Sequence, residues 1–187
     1  MMTDEVAAMN IAFWADMGSP MRLLPALRED DDKFVTVRTT WLNDASRLDA
    51  PLLRQLYDFW RGARNGAVMP PASAIDPFAL RFALGNLVVM EPLDGGIDFK
   101  VRLFGSRIAS RLGYDLTGRL LSSISDDTAR HYTEQAVAKV LHGERPMLMQ
   151  RHRRLEKGPV EYTCLLLPFG DGTPSRIVYG VHFDDEG

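Results

Sequence analysis

A single cysteine, Cys164, excludes a disulfide within the chain and suits a reducing compartment. Long apolar runs are missing too: none approaches the ~20 residues that a membrane-spanning helix needs. The opening segment, MMTDEVAAMNIAFWADMG, is acidic and lacks the basic start of a secretory signal. Nor is there an excess of one charge. Lys and Arg number 22 and Asp and Glu 25, a net charge of −3 at pH 7. Nothing in that balance draws the whole molecule to nucleic acid or to an anionic membrane. There is no internal repeat, no HExxH, no cysteine cluster and no nucleophile elbow. These absences give the expectation of a cytoplasmic protein with no membrane contact, no dedicated metal and no catalytic activity.

What is present is a globular composition, 45% hydrophobic and 25% charged. A chain of this size buries about two-thirds of its unfolded surface, enough for one domain with a full core. Thr3, Asp4 and Glu5 suit a helix start, and Val6, Met9, Phe13 and Met17 follow at helical spacing as far as Gly18. Phe34 to Trp41 reads as a strand or an extended linker. Asp49 and Pro51 open a stronger helix with Leu52, Leu53, Leu56, Phe59, Trp60 and Ala63 on its apolar face, stopped at Asn65-Gly66. Residues 1–48 therefore read as an N-terminal helical extension and linker, and 49–187 as the domain with its leading helix.

Beyond residue 85 strands dominate. NLVVMEP and IDFKVRLF flank a Leu-Asp-Gly-Gly hairpin turn. The segment from Gly105 to Leu121 breaks into short helical turns at Gly113 and Gly118. Ser123 or Ser125 opens a longer helix, with Ala129, Tyr132, Ala136, Val137, Val140 and Leu141 on one side and Gly143 at its end. Three strands follow: Pro146–Glu156, Val160–Phe169 and Arg176–Phe183. This order predicts an α+β fold, a five-stranded antiparallel sheet with the crossover helices on one face. In the middle strand Tyr162, Cys164 and Leu166 are apolar on one side, and Leu165 and Leu167 on the other. Such a strand belongs to a sheet covered on both faces. The crossover helices cover one, which leaves the other to an N-terminal helix or a second subunit.

The element order resembles that of a PAS domain, and five short patterns resemble a bacterial PAS-like family in particular. That family has a Tyr/Phe-Trp pair on a helix, a mPsraDiDP segment, a frfrlaGt strand, an eltG turn and a late LPL strand end. The corresponding places here read Phe59-Trp60, MPPASAIDP, FKVRLFGS, DLTG and Leu167-Pro168-Phe169. The resemblance runs from about Leu52 to Phe183, with an extra proline in MPPASAIDP and Phe169 in place of leucine as departures. It implies a PAS-like sheet enclosing a small cavity against the crossover helices, and signal passage through the sheet to flanking helices. Some such domains hold haem, flavin or a metabolite, and many serve for dimerisation.

In that arrangement Phe104, Ile108, Leu112, Tyr114, Leu116, Ile124 and Tyr132 come near the inner face of the sheet, joined by Cys164 and Leu166 from a late strand. They line either a ligand pocket anchored by Tyr114 and Tyr132, or a filled core. His131 is the one plausible haem ligand, but a lone histidine with no second metal-ligand spacing argues for a surface role. The resemblance ties flavin photochemistry to a cysteine in an Asn-Cys-Arg-Phe type motif. Cys164 lies outside any such motif, so that chemistry is rejected. The cofactor, if there is one, is unknown. GSRIASRLG lacks the lysine of a phosphate loop, so its glycines belong to tight turns. Arg107 and Arg111, four apart, are expected to form an exposed basic edge. In QRHRRLEKG, alternation sends Arg151 and Arg153 to one side and His152 and Arg154 to the other. That stripe reads as a solvated hairpin tip, with a phosphate or acidic-partner contact at Arg151, Arg153 and Arg154 as the alternative.

The functional expectation is a stand-alone PAS-like sensory or regulatory module. It binds a small, mostly apolar ligand or a partner protein, forms a homodimer and signals through another chain. The alternative is a purely structural interaction or dimerisation module with a filled core.

Overall fold

The computed structural model describes residues 34–155 and 158–184. The helix expected over Thr3–Met17, and with it the N-terminal helical extension, lies outside the described residues. The strands are β1 (Phe34–Trp41), β2 (Leu87–Leu93), β3 (Asp98–Phe104), β4 (Met147–Leu155), β5 (Gly158–Phe169) and β6 (Arg176–Phe183). The helices are α1 (Pro51–Ala63), α2 (Ser106–Leu112) and α3 (Asp127–Gly143), with short 3-10 turns between them.

All strands join one antiparallel sheet in the order β1-β4-β5-β6-β2-β3. The sheet thus has six strands, not the five expected. The additional one is β1, which pairs with β4 from Thr36 opposite His152 to Trp41 opposite Met147. FVTVRTTW fits a strand or a linker equally well on local grounds. The open edge of β4 decides between them, because its N–H and C=O groups gain partners from β1.

Both faces of the sheet are covered. On the outer face Leu165 and Leu167 of β5, Val178 of β6 and Leu87 of β2 pack against Leu53, Leu56, Tyr57 and Trp60 of α1. The cover seen on this face is therefore the leading helix of the domain itself, which the sequence had not nominated for it. Sequence explains the fit. Pro51 takes the first helical position, where no N–H is needed, and the apolar residues recur every three or four positions. Gly180 on β6 lets α1 approach closely: a Cβ built there would lie 2.5 Å from Leu56 Cδ2 and 3.3 Å from Leu53 Cδ2. Trp60 Nε1 then donates a 2.7 Å hydrogen bond to the Pro168 carbonyl at the end of β5. The MPPASAIDP loop docks beside it through Gly170 N to Pro70 O at 2.8 Å.

The inner face carries Val88, Met90, Val101, Met147, Met149, Cys164, Leu166, Ile177 and Val181. It packs against Ile108 of α2 and Ala129, Ala136, Val137 and Val140 of α3. Between β3 and α3 the chain makes two sharp breaks. Gly113 ends α2 in the left-handed region at φ 82°, and Gly118 repeats this at φ 78°. Backbone there is forbidden to most side chains, so these glycines answer a need for turns. The segment after Gly113 runs back along β3, with Gly118 N bonded to Val101 O and Val101 N to Arg119 O. It closes a space over the inner face.

Candidate functional site

That space is a cavity of about 50 Å3. A water needs about 10–15 Å3 on the same scale, so the cavity has room for a few water-sized groups. Its apolar walls come from β2, β3, β6, α2 and the segment that follows α2. Of the residues expected at a pocket, Phe104, Ile108, Leu112, Tyr114, Leu116 and Ile124 line it. Leu112 and Tyr114 are half-buried, and every other lining residue is buried. Tyr132, Cys164 and Leu166 do not line the cavity. Cys164 and Leu166 sit fully buried in the inner core, and Tyr132 packs half-buried against it.

The polar part of the wall differs from expectation. Arg151 and Arg153 line the cavity and are only 6% and 4% exposed. The solvated hairpin tip is thereby corrected: these two guanidiniums are inside, turned from the protein surface to the cavity. Alternation did separate them from His152, which pairs on the opposite side with Glu161 at 2.7 Å. The side chain of Arg154 lies outside the described residues. The inward direction comes from register. β4 enters the sheet with Met147 and Met149 on the inner face, and Arg151 and Arg153 extend the same row beneath α3.

Each arginine is held. Arg153 donates from Nη2 to Asp126 Oδ2 at 2.8 Å and from Nη1 to the Tyr114 hydroxyl at 3.3 Å. Its Nε has no hydrogen-bond partner. Arg151 donates from Nη2 to Thr133 Oγ1 at 3.0 Å, and its Nε approaches Met149 Sδ at 3.3 Å. Thr133 in turn donates to the Ala129 carbonyl of its own helix at 2.7 Å. Asp126 has two tasks. Its Oδ1 accepts from Ala129 N at 2.9 Å, capping α3, while Oδ2 holds Arg153. One carboxylate therefore joins the start of α3 to the inner face of β4.

Arginine keeps its proton throughout the physiological range. Burial opposes the charge at both positions, and polar partners offset it: Thr133 for Arg151, and Tyr114 and Asp126 for Arg153. Burial raises the phenol pKa of Tyr162 and Tyr179 and pushes the Cys164 thiol up to about 12. All three stay protonated at neutral pH, so the two tyrosines on the cavity wall carry no charge there.

A family model described as PAS domain matches residues 48–181. The chain belongs to the PAS-domain family. No curated protein matches it. Among solved structures, one titled "Structure of an RNA-binding Light-Oxygen-Voltage Receptor" matches with a TM-score of 0.48 and 10% identity. The match covers 79% of this chain and 38% of that one. The PAS domain described here thus contains a small, mostly apolar cavity with two buried arginines in its wall. Its His131 is exposed on α3, with a ring nitrogen 2.9 Å from Gln135 Nε2, and does not line the cavity. Among the described residues, no three His, Cys, Asp or Glu side chains gather as a metal site, and no helix is long and apolar enough to cross a membrane. Arg107 is exposed as expected, whereas Arg111 is half-buried with its guanidinium 4.9 Å from the centre of the Phe183 ring.

Asp126, Thr133, Tyr162 and Tyr179 were not singled out from the sequence. The signal for the arginines was the i, i+2 row Met147, Met149, Arg151, Arg153. The signal for Asp126 was its place among the residues opening α3.

Proposed function

We propose that this PAS domain is a sensory or regulatory module. A small molecule occupies the cavity, and its occupancy biases the packing of α2 and α3 on the sheet. The observation that supports this reading most is the cavity wall itself: a space lined by two buried cations within an otherwise close-packed core. A domain kept only for its shape gains from filling such a space with apolar side chains. The Asp126 link gives occupancy a route outwards. A ligand that shifts Arg153 alters the load on the N-terminus of α3. The size of the response is bounded by the ligand's preference for one packing over the other. The recipient is a partner protein or a second copy of this chain, and no chemical turnover is part of the role.

Native mass spectrometry of freshly purified protein, with an absorbance scan, provides the test. A bound small molecule, or a metabolite that raises the melting temperature, supports sensing. An empty protein whose melting temperature ignores a metabolite library overturns it, and leaves an interaction or dimerisation module with an unused cavity.

A further inference from the structure

We infer that the molecule held in the cavity is a short aliphatic carboxylate, bound with its head on the Arg151–Arg153 row and its chain against the apolar wall. This rests on the reading of the cavity as a ligand site.

Four observations lead there. First, Arg153 is nine-tenths buried or more, lines the cavity and keeps one N–H, Nε, without a partner. A buried donor left unmatched costs about 1–3 kcal/mol, so a ligand that accepts from it gains a matching advantage. Second, Arg151 stands two residues along the same strand face, about 7 Å away at the backbone. Two guanidiniums so placed attract an anion and repel an ammonium group, and their planar forks suit a carboxylate. Third, Tyr162 and Tyr179 are among the lining residues, and burial keeps their hydroxyls protonated, so they add no negative charge. Fourth, apart from Tyr114 and Thr133, which hold the arginines, the remaining wall is apolar: Val88, Met90, Val101, Ile108, Leu116 and Ile124 offer nothing to a polar tail. A phosphate would turn some of its four oxygens towards that wall, at a desolvation cost that an alkyl chain does not incur. The centres of water-sized groups reach about 50 Å3 of the cavity, and the space around those centres takes roughly five or six non-hydrogen atoms. That size matches a carboxylate of three or four carbons in all.

The probe is butyrate, titrated into the full chain by calorimetry and by thermal shift. Butyramide, 1-butanol, butylammonium and inorganic phosphate serve as comparators. Butyrate is expected to bind and to raise the melting temperature, and each comparator to bind at least about tenfold more weakly: the neutral and cationic ones because a charge-assisted hydrogen bond is lost or opposed, phosphate because its oxygens are desolvated against the apolar wall. Arg153→Met and Arg151→Met should each weaken butyrate by a similar factor, with Arg153→Lys in between. Should either methionine variant fail to fold by circular dichroism, the comparison of butyrate with butyramide on the unaltered protein decides the matter alone. Butyramide binding as tightly as butyrate overturns the carboxylate and leaves the ligand cavity standing. Phosphate binding more tightly than butyrate overturns the alkyl chain. If no probe binds and the protein emerges empty in native mass spectrometry, both the carboxylate and the sensory reading fall.

Discussion

Replacing Asp126 separates its two tasks. Asn at this position keeps a side-chain oxygen able to cap α3 through Ala129 N but has no charge for Arg153. Removing one partner of a buried ion pair costs about 3–5 kcal/mol, because the other charge is left buried. Here Arg153 is 5% exposed at its side chain and Asp126 18%, and Arg153 retains Tyr114. Asp126→Asn is therefore expected at the low end, about 3 kcal/mol. Asp126→Ala loses the cap as well and should cost about 1 kcal/mol more. Combining Asp126→Asn with Arg153→Met removes the stranded charge and should recover most of the loss, since an apolar replacement for a buried pair is often neutral. Urea unfolding of the unaltered chain, the two Asp126 variants, Arg153→Met and the double variant, followed by tryptophan fluorescence, gives the free energies and their coupling. Two results would refute the reasoning. One is an Asp126→Asn cost below about 1 kcal/mol, the behaviour of a surface pair. The other is a double variant whose loss equals the sum of the single losses.

Other consequences follow from the core. Gly180→Val places a side chain against Leu56 and Leu53 and should cost about 1–3 kcal/mol in urea unfolding, partly recovered by Leu56→Ala in the same chain; an indifferent Gly180→Val would mean that α1 does not press on β6. Trp60→Phe removes the donor to the Pro168 carbonyl and should cost about 1–3 kcal/mol; a loss below that range would mean water replaces the bond. Cys164 should resist Ellman's reagent at pH 8 until denaturant is added, because burial holds its thiol protonated up to about 12. Folding raises this acid's pKa from 9.0 to about 12, so the folded state binds the extra proton between those values. Its contribution, about 4 kcal/mol, is complete below pH 9 and is lost as pH rises towards 12. Burial shifts Tyr162 and Tyr179 in the same direction. The melting temperature should fall over that alkaline window, and a flat profile would contradict the burial of these groups.

Much of the fold was legible in the chain. Hydrophobic periodicity marked α1 and the later strands, and Gly113 and Gly118 marked the breaks between β3 and α3. The two-sided apolar pattern of β5 correctly required both faces of the sheet to be covered. The identity of the cover was not legible, because a helix's apolar stripe fits any apolar face. The close approach at Gly180 is what seats α1 on the sheet, and it joins residues far apart in the chain. Phe34–Trp41 was readable as a strand or a linker, and its place in the sheet was not, since its partner lies about a hundred residues away.

The site shows the same division. Six apolar and aromatic positions around Gly105–Ile124 were readable as cavity wall because their order follows the local turns. Arg151 and Arg153 were readable as a pair on one side of a strand, since strand alternation has a period of two. Whether that side met water or the interior depended on α3 lying over β4, and on Asp126 and Thr133 reaching down to the guanidiniums. The sequence alone determined composition, element order and the pairing of the arginines, which are local properties of spacing. The tertiary structure alone decided that the arginines are buried, because burial depends on what distant segments bring to the other side.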